Sequence, residues 1–199
     1  MNDTYLTISN VSEGLYKEKG SKFLAFAYPV SHENEIKDIL DSLRKQYYDA
    51  RHHCYAYILG KNQDHYRAND DGEPNHSAGD PILGQIRSKN LTNTLIVVIR
   101  YFGGTKLGVG GLISAYKTAA FEALENNEII EAIIKKNVTL KFDYLAMNDV
   151  MRLVKDLDLE ILSQDFDNTC KMTVSIREGV IDIFESKIND LELVKVLTD

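Results

Sequence analysis

Cysteine is scarce in this chain: Cys54 and Cys170 are the only two in 199 residues. A disulfide framework and a multi-cysteine zinc site are excluded by count, and a reducing cytosol is the expected compartment. Proline numbers three, glycine twelve, and tryptophan is absent. Such a chain is neither collagenous nor of low complexity. Apolar runs such as Leu95–Ile99 are far too short to span a bilayer. Met1–Tyr5 has no basic stretch followed by an apolar one, so no signal peptide is expected. Positive charge is the minority sign, with 23 Lys and Arg against 30 Asp and Glu, a formal net charge of −7. That balance argues against a protein that coats nucleic acid, and it leaves room for a local basic face. What remains is 44% apolar and 27% charged. A soluble globular chain of this length buries roughly 70% of its extended surface without staples.

Two patterns meet near residue 131. Before it lie eleven of the twelve glycines and all the prolines and histidines. Residues 1–131 and 132–199 are therefore expected to form two abutting domains. The first reads as mixed α/β. A hairpin is predicted around Lys19-Gly20-Ser21. A helix capped by Ser31 follows, with Ile36, Ile39, Leu40, Leu43 and Tyr47 on one stripe. A strand near His53–Leu59 leads into a long polar stretch, Gly60–Gly79. Asp80-Pro81 has the form of a helix cap and first position. Leu95–Ile99 reads as a central strand buried on both faces. A last helix carries Leu112, Tyr116, Ala119, Ala120 and Leu124 inward. The second part reads strand, helix, strand, strand, helix, strand, with a turn at Asp167-Asn168. That order is the ferredoxin-like pattern, which hosts many functions.

Five of the twelve glycines fall in Gly103-Gly-Thr-Lys-Leu-Gly-Val-Gly-Gly111. The segment links the buried strand to a helix start expected near residue 111. Glycine permits close approach, and helix-start amides attract anions. Ligand sites of open α/β sheets gather at such strand ends. Arg100 and Lys106 add positive charge. Neither a Walker A loop nor a dinucleotide fingerprint fits, because Val109 follows Gly108 and Ile113 stands where the third glycine belongs. The competing explanation is a tight connection needing glycine for packing. In Arg67–Asp80, the residues Asp70, Asp71, Glu73, His76 and Asp80 could in principle hold a hard metal, yet no EF-hand spacing is met. Asn75–Gly79 matches a nucleophile elbow only partly. Local turn chemistry explains the stretch equally well. In Arg51-His52-His53-Cys54 a Cys–His dyad is possible. The alternation of Cys54, Ala56 and Ile58 instead places Cys54 in the core.

Taken together, Lys19–Phe23, Ala50–Tyr57, Asp70–Pro74, Ser77–Leu83, Leu91–Asn93 and above all Val97–Leu112 resemble the YigZ/IMPACT family over residues 15–125. The resemblance implies an α+β protein. Its first domain would be similar to domain IV of elongation factor G and to domain 2 of a small-subunit ribosomal protein. Its second would be ferredoxin-like, as is domain V of that factor. It implies no catalytic residue and no cofactor. Eukaryotic members, similar in the first domain alone, regulate translation by competing for an activator of a stress kinase. Two positions depart from the family pattern: His76 stands where glycine is common, and Ser114 where arginine is common. The reading is a non-enzymatic cytosolic regulator of translation that binds RNA, the ribosome or a translation-related protein. The expected binding residues are Arg51, His52, Asp70, Asp71, Glu73, Arg100, Gly103, Gly104, Lys106, Gly108, Gly110 and Gly111. The alternative is an enzyme that holds a phosphate- or nucleotide-containing small molecule on the glycine-rich loop.

Overall fold

In the computed structural model, which describes residues 3–166 and 169–197, the chain forms two compact units. One spans Tyr5–Ala132, and the other holds Asp3, Thr4 and the residues from Ile133 on. The first unit is built on β2 (Ser12–Glu18), β3 (Ser21–Pro29), β4 (His52–Leu59), β5 (His65–Asn69) and β6 (Thr94–Tyr101). Their order in the sheet is β2-β3-β6-β4-β5, and every pairing is antiparallel. Three helices flank it: α1 (Glu33–Gln46), α2 (Gly79–Ser88) and α3 (Gly108–Glu125). β1 (Thr4–Ile8) and β7 (Ile129–Ile133) pair separately as two strands.

β6 is the middle strand, and the layering explains its unbroken apolar run. Ile96 and Val98 pack with Cys54, Ala56 and the inner faces of α2 and α3. Leu95, Val97 and Ile99 pack with Tyr55, Tyr57 and the apolar stripe of α1. Such a run is usual in parallel sheets; here an antiparallel one is covered on both faces. The rule that places ligands at the strand ends of open α/β sheets therefore does not apply to it.

Local chemistry moves several expected boundaries. The hairpin turns on Lys19 and Gly20, both at positive φ (46° and 80°), the backbone of a tight two-residue turn. α1 is capped by His32, not Ser31: His32 Nδ1 accepts from Glu35 N at 3.3 Å. Glu35 in turn accepts from Ser31 N at 2.9 Å. Asp80 does not cap α2 either. The caps come from Asp70, whose Oδ1 accepts from Ala78 N (3.0 Å) and Gly79 N (2.8 Å) and whose Oδ2 accepts from His76 N (2.8 Å). Asp80 instead meets His76 Nδ1 at 2.6 Å. β5 lies inside the stretch expected to be polar loop. His76 sits at φ 65°, the left-handed region that glycine favours.

The second unit runs β8 (Lys135–Phe142), α4 (Met147–Asp156), β9 (Glu160–Phe166), β10 (Cys170–Arg177), α5 (Ile181–Asn189) and β11 (Val194–Leu197). The antiparallel sheet order β11-β8-β10-β9 is that of a ferredoxin-like fold. Leu140, Phe142, Met172 and Val174 pack against Val150, Leu153, Phe184 and Ile188 of the two helices. The expected Asp167-Asn168 turn lies outside the described residues. Asp3 is tied into this unit. Its carboxylate accepts from Arg177 Nε, from Arg177 Nη2 at 2.8 Å and from Gly179 N at 3.1 Å. The Arg177 guanidinium holds the Asp3 carboxyl low, at about 2.

Candidate functional site

β6 delivers Arg100 to the rim of the sheet, and the chain then runs through Phe102 and the glycine segment into α3. A cleft of about 500 Å³ opens there. Of the expected residues, Arg51, His52, Glu73, Arg100, Lys106 and Gly108 line it. Pro74, Phe102, Leu107, Val109 and Leu112 complete its walls. Asp70, Asp71, Gly103, Gly104, Gly110 and Gly111 are not among the lining residues.

The acidic loop is used to build the walls. Asp70 caps α2 as described. Asp71 Oδ2 accepts from His53 N at 2.6 Å, and the Asp71 carbonyl lies 2.9 Å from His52 Nδ1, fixing that ring. Glu73 is buried and bonded twice: Oε1 accepts from Arg100 Nη1 at 2.7 Å and from Tyr116 Oη at 2.8 Å. Cys54 completes the network, its thiol facing the Asp70 carbonyl (3.0 Å) and Tyr116 Oη (3.3 Å). Burial pushes both the Cys54 thiol and the Tyr116 phenol up. The thiol is an inert core group and not a nucleophile. Ser77 is fully buried, and its hydroxyl donates to the Pro74 carbonyl at 2.6 Å. The carboxylates considered for a metal do not converge, and among the described residues no group of three or more His, Cys, Asp or Glu is placed to hold an ion.

Arg100 is nine-tenths buried, yet its Nε finds no acceptor among the described residues. Its guanidinium lies between two rings, 5.5 Å from the centroid of Phe23 and 5.6 Å from that of Phe102. α3 begins at Gly108, a turn earlier than expected, so Gly108, Gly110 and Gly111 belong to its first turn. Leu107 offers no side-chain cap, and that turn carries no acid. Gly108, Val109 and Gly110 are exposed. Polarity at this helix start thus meets solvent unopposed.

The glycines divide by their reasons. A Cβ on Gly103 would stand 1.9 Å from Gly20 C and 2.1 Å from Ser21 N, so packing against the hairpin turn demands glycine there. Gly104 and Gly108 adopt positive φ (87° and 71°). Gly110 has neither reason: its Cβ would meet nothing within 4 Å. Sequence reasoning missed Phe102 and Val109, which are 57% and 52% exposed. Phe102 lies in a loop and Val109 on the outer side of a first helical turn, and an exposed apolar residue at either place carries no periodic signal.

His53 lies on the opposite face of β4, buried among the residues that meet α1, with no partner for Nε2 among the described residues. Burial lowers its proton affinity below the ordinary value of 6.5, with Asp71 opposing and Arg44 assisting. The unfolded chain therefore carries the extra proton between 6.5 and the lower folded value. Stability of the first unit is expected to fall as the pH drops through that window. Urea midpoints measured from pH 7.5 to 5 should show this decline, and His53→Gln should flatten it.

Residues 19–124 match the Impact N-terminal domain. The chain belongs to the IMPACT family. An IMPACT family member of Haemophilus influenzae is 33% identical over 86% of this chain and 84% of its own. The IMPACT family member YigZ of Escherichia coli is 29% identical over 86% of this chain and 85% of its own. A crystal structure described as that of a hypothetical protein covers all of this chain and 98% of its own, with a TM-score of 0.76 at 26% identity. The α+β, two-domain architecture of this IMPACT member agrees with that structure. Among its described residues no helix is long and apolar enough to cross a membrane.

Proposed function

We propose that this protein is a non-catalytic, cytosolic regulator of translation and that it holds a translation-related protein partner in the cleft between β6 and α3. The observation that carries the reading is the composition of the cleft. Phe102, Leu107, Val109 and Leu112 give it apolar walls, while Arg51, Lys106 and the uncapped start of α3 supply positive polarity. That combination suits a peptide with an apolar anchor and an acidic neighbour. The expected participation of Arg51, His52, Glu73, Arg100, Lys106 and the glycines enters in two ways: Arg51 and Lys106 as contacts, the buried Glu73–Arg100 pair as the support beneath them. Gly110 favours a close partner, since neither backbone strain nor internal packing calls for glycine there. The link to translation rests on membership of the IMPACT family, whose resemblance implies domains similar to those of an elongation factor and a ribosomal protein. The alternative, an enzyme that holds a phosphate- or nucleotide-containing small molecule on the glycine-rich loop, would take its carboxylates from Asp70, Asp71 and Glu73, and these are already bonded within the fold.

The test is a cell-free translation reaction titrated with the full chain, alongside co-sedimentation with ribosomal fractions. Wild type should change protein output. Phe102→Ala with Lys106→Ala should be about tenfold less potent, the equivalent of ~1.4 kcal/mol of binding, with an unchanged urea midpoint. Gly110→Ala should lose potency while keeping or slightly gaining stability. Wild type without effect in either assay, or variants as potent as wild type, would reject the proposal.

A further inference from the structure

The second unit also carries a feature that its overall acidity hides. α4 and α5 cover one face of its sheet, and the alternate residues of the central strands stand on the other. On that uncovered face the strand register sets three lysines in one row: Lys195 opposite Lys141, and Lys141 opposite Lys171. All three are exposed. None has an ion-pair partner among the described residues, whereas Lys135 and Arg177 of the same strands are paired with Glu160 and Asp3. Like charges directly opposite one another across a sheet are unfavourable in the free protein. An anion laid along the row would relieve the repulsion twice over. Thr139 and Thr173, their hydroxyls 3.0 Å apart, form the next row and add hydrogen-bonding groups.

The row continues into a second feature. Lys141 and Lys195 line a cleft of about 410 Å³ together with Tyr144, whose side chain is among the most exposed large ones in the protein. Acids are nearby as well. Asp165 lies opposite Lys171, and Asp143 and Glu192 line the cleft. Asp143 is engaged, accepting from Leu145 N at 2.9 Å. Strands in a sheet are about 4.8 Å apart, so the cations form a short, evenly spaced track. A cationic track with an exposed ring at its end is the combination that holds single-stranded nucleic acid, phosphates on the lysines and a base stacked on the ring.

We propose that the uncovered sheet face of the second unit, through Lys141, Lys171, Lys195 and Tyr144, binds the backbone of single-stranded RNA. This surface is separate in sequence and chemistry from the cleft of the first unit, and it stands or falls without that proposal. The probe is a fluorescent oligouridine of about twelve nucleotides, its anisotropy titrated with the full chain between roughly 50 and 200 mM salt. Three phosphate contacts on a single strand give a salt slope of about −2. Lys141→Gln, Lys171→Gln and Lys195→Gln together should remove that slope and weaken low-salt binding at least about tenfold. Tyr144→Ala should weaken binding several-fold and leave the slope intact, because stacking displaces no counterions. Lys106→Ala should change neither. All these side chains are exposed, so no variant should lower the urea midpoint, and the triple variant should raise it slightly by removing the repulsion. The proposal is overturned if wild type does not bind oligouridine at low salt, or if the triple variant keeps the wild-type slope. It is equally overturned if polyglutamate competes as well as unlabelled oligouridine, which would mark the face as one for an acidic protein.

Discussion

Replacing Glu73 by alanine is expected to destabilise the first unit by about 3–5 kcal/mol, the usual cost of leaving one member of a buried ion pair uncompensated. Arg100 would keep its charge in a site where it is nine-tenths buried and where Nε already lacks an acceptor among the described residues. Tyr116, fully buried, would lose the acceptor of its hydroxyl at the same time. The pair itself need not contribute net stability, since burying both charges has its own cost. The double variant Glu73→Leu with Arg100→Met should therefore recover most of the loss. Tyrosine fluorescence during urea unfolding suits the measurement: Tyr144 alone of eleven tyrosines lies beyond residue 132. If the single variant unfolded within about 1 kcal/mol of wild type, Arg100 would have to reach water in the folded state, and the buried network described above would be wrong.

Gly103→Ala should be comparably damaging, at more than ~3 kcal/mol, for a different reason. The added methyl would overlap main-chain atoms of Gly20 and Ser21, and no side chain can rotate to make room. Overpacking typically costs 1–3 kcal/mol where side chains yield; two backbones must separate here. The hydrogen bond from Gly103 N to Ser21 Oγ, 3.1 Å, would break with them. Gly104→Ala is the internal comparison. Its Cβ points into open space, so only the positive φ is penalised, at about 1 kcal/mol. Equal losses at the two positions would show that the hairpin turn and the glycine segment are not in contact.

The parts of this fold that were legible in sequence are those where one residue type repeats at a structural period. Leu95–Ile99 reads as a buried strand because both of its faces are covered. Leu112, Tyr116, Ala119 and Ala120 read as the inner face of α3 at helical spacing. The alternation in β8 and β10 announces a sheet with one buried face. β5 was not legible: His65-Tyr66-Arg67 at the sheet edge are exposed, and Ala68 alone of its residues packs against the core. The cap of α2 was not legible because Asp70 reaches it from nine residues away, beyond the two or three over which capping patterns are recognised. The glycine segment could be flagged but not divided, since crowding at Gly103 and open space at Gly110 are matters of tertiary neighbours. Asp70 reads as a ligand-type carboxylate and acts as a helix cap. Lys141, Lys171 and Lys195 lie far apart in the chain, and register alone makes them neighbours.

The bond from Asp3 to Arg177 and Gly179 has a practical corollary for anyone dissecting this molecule. The ferredoxin-like half is not a contiguous stretch of polypeptide: one of its fastenings is supplied by the third residue of the chain. A fragment cut to start at Ile133 would be missing that carboxylate. Excising the two halves cleanly calls for a design that carries the opening residues along, for instance by rejoining them ahead of Ile133.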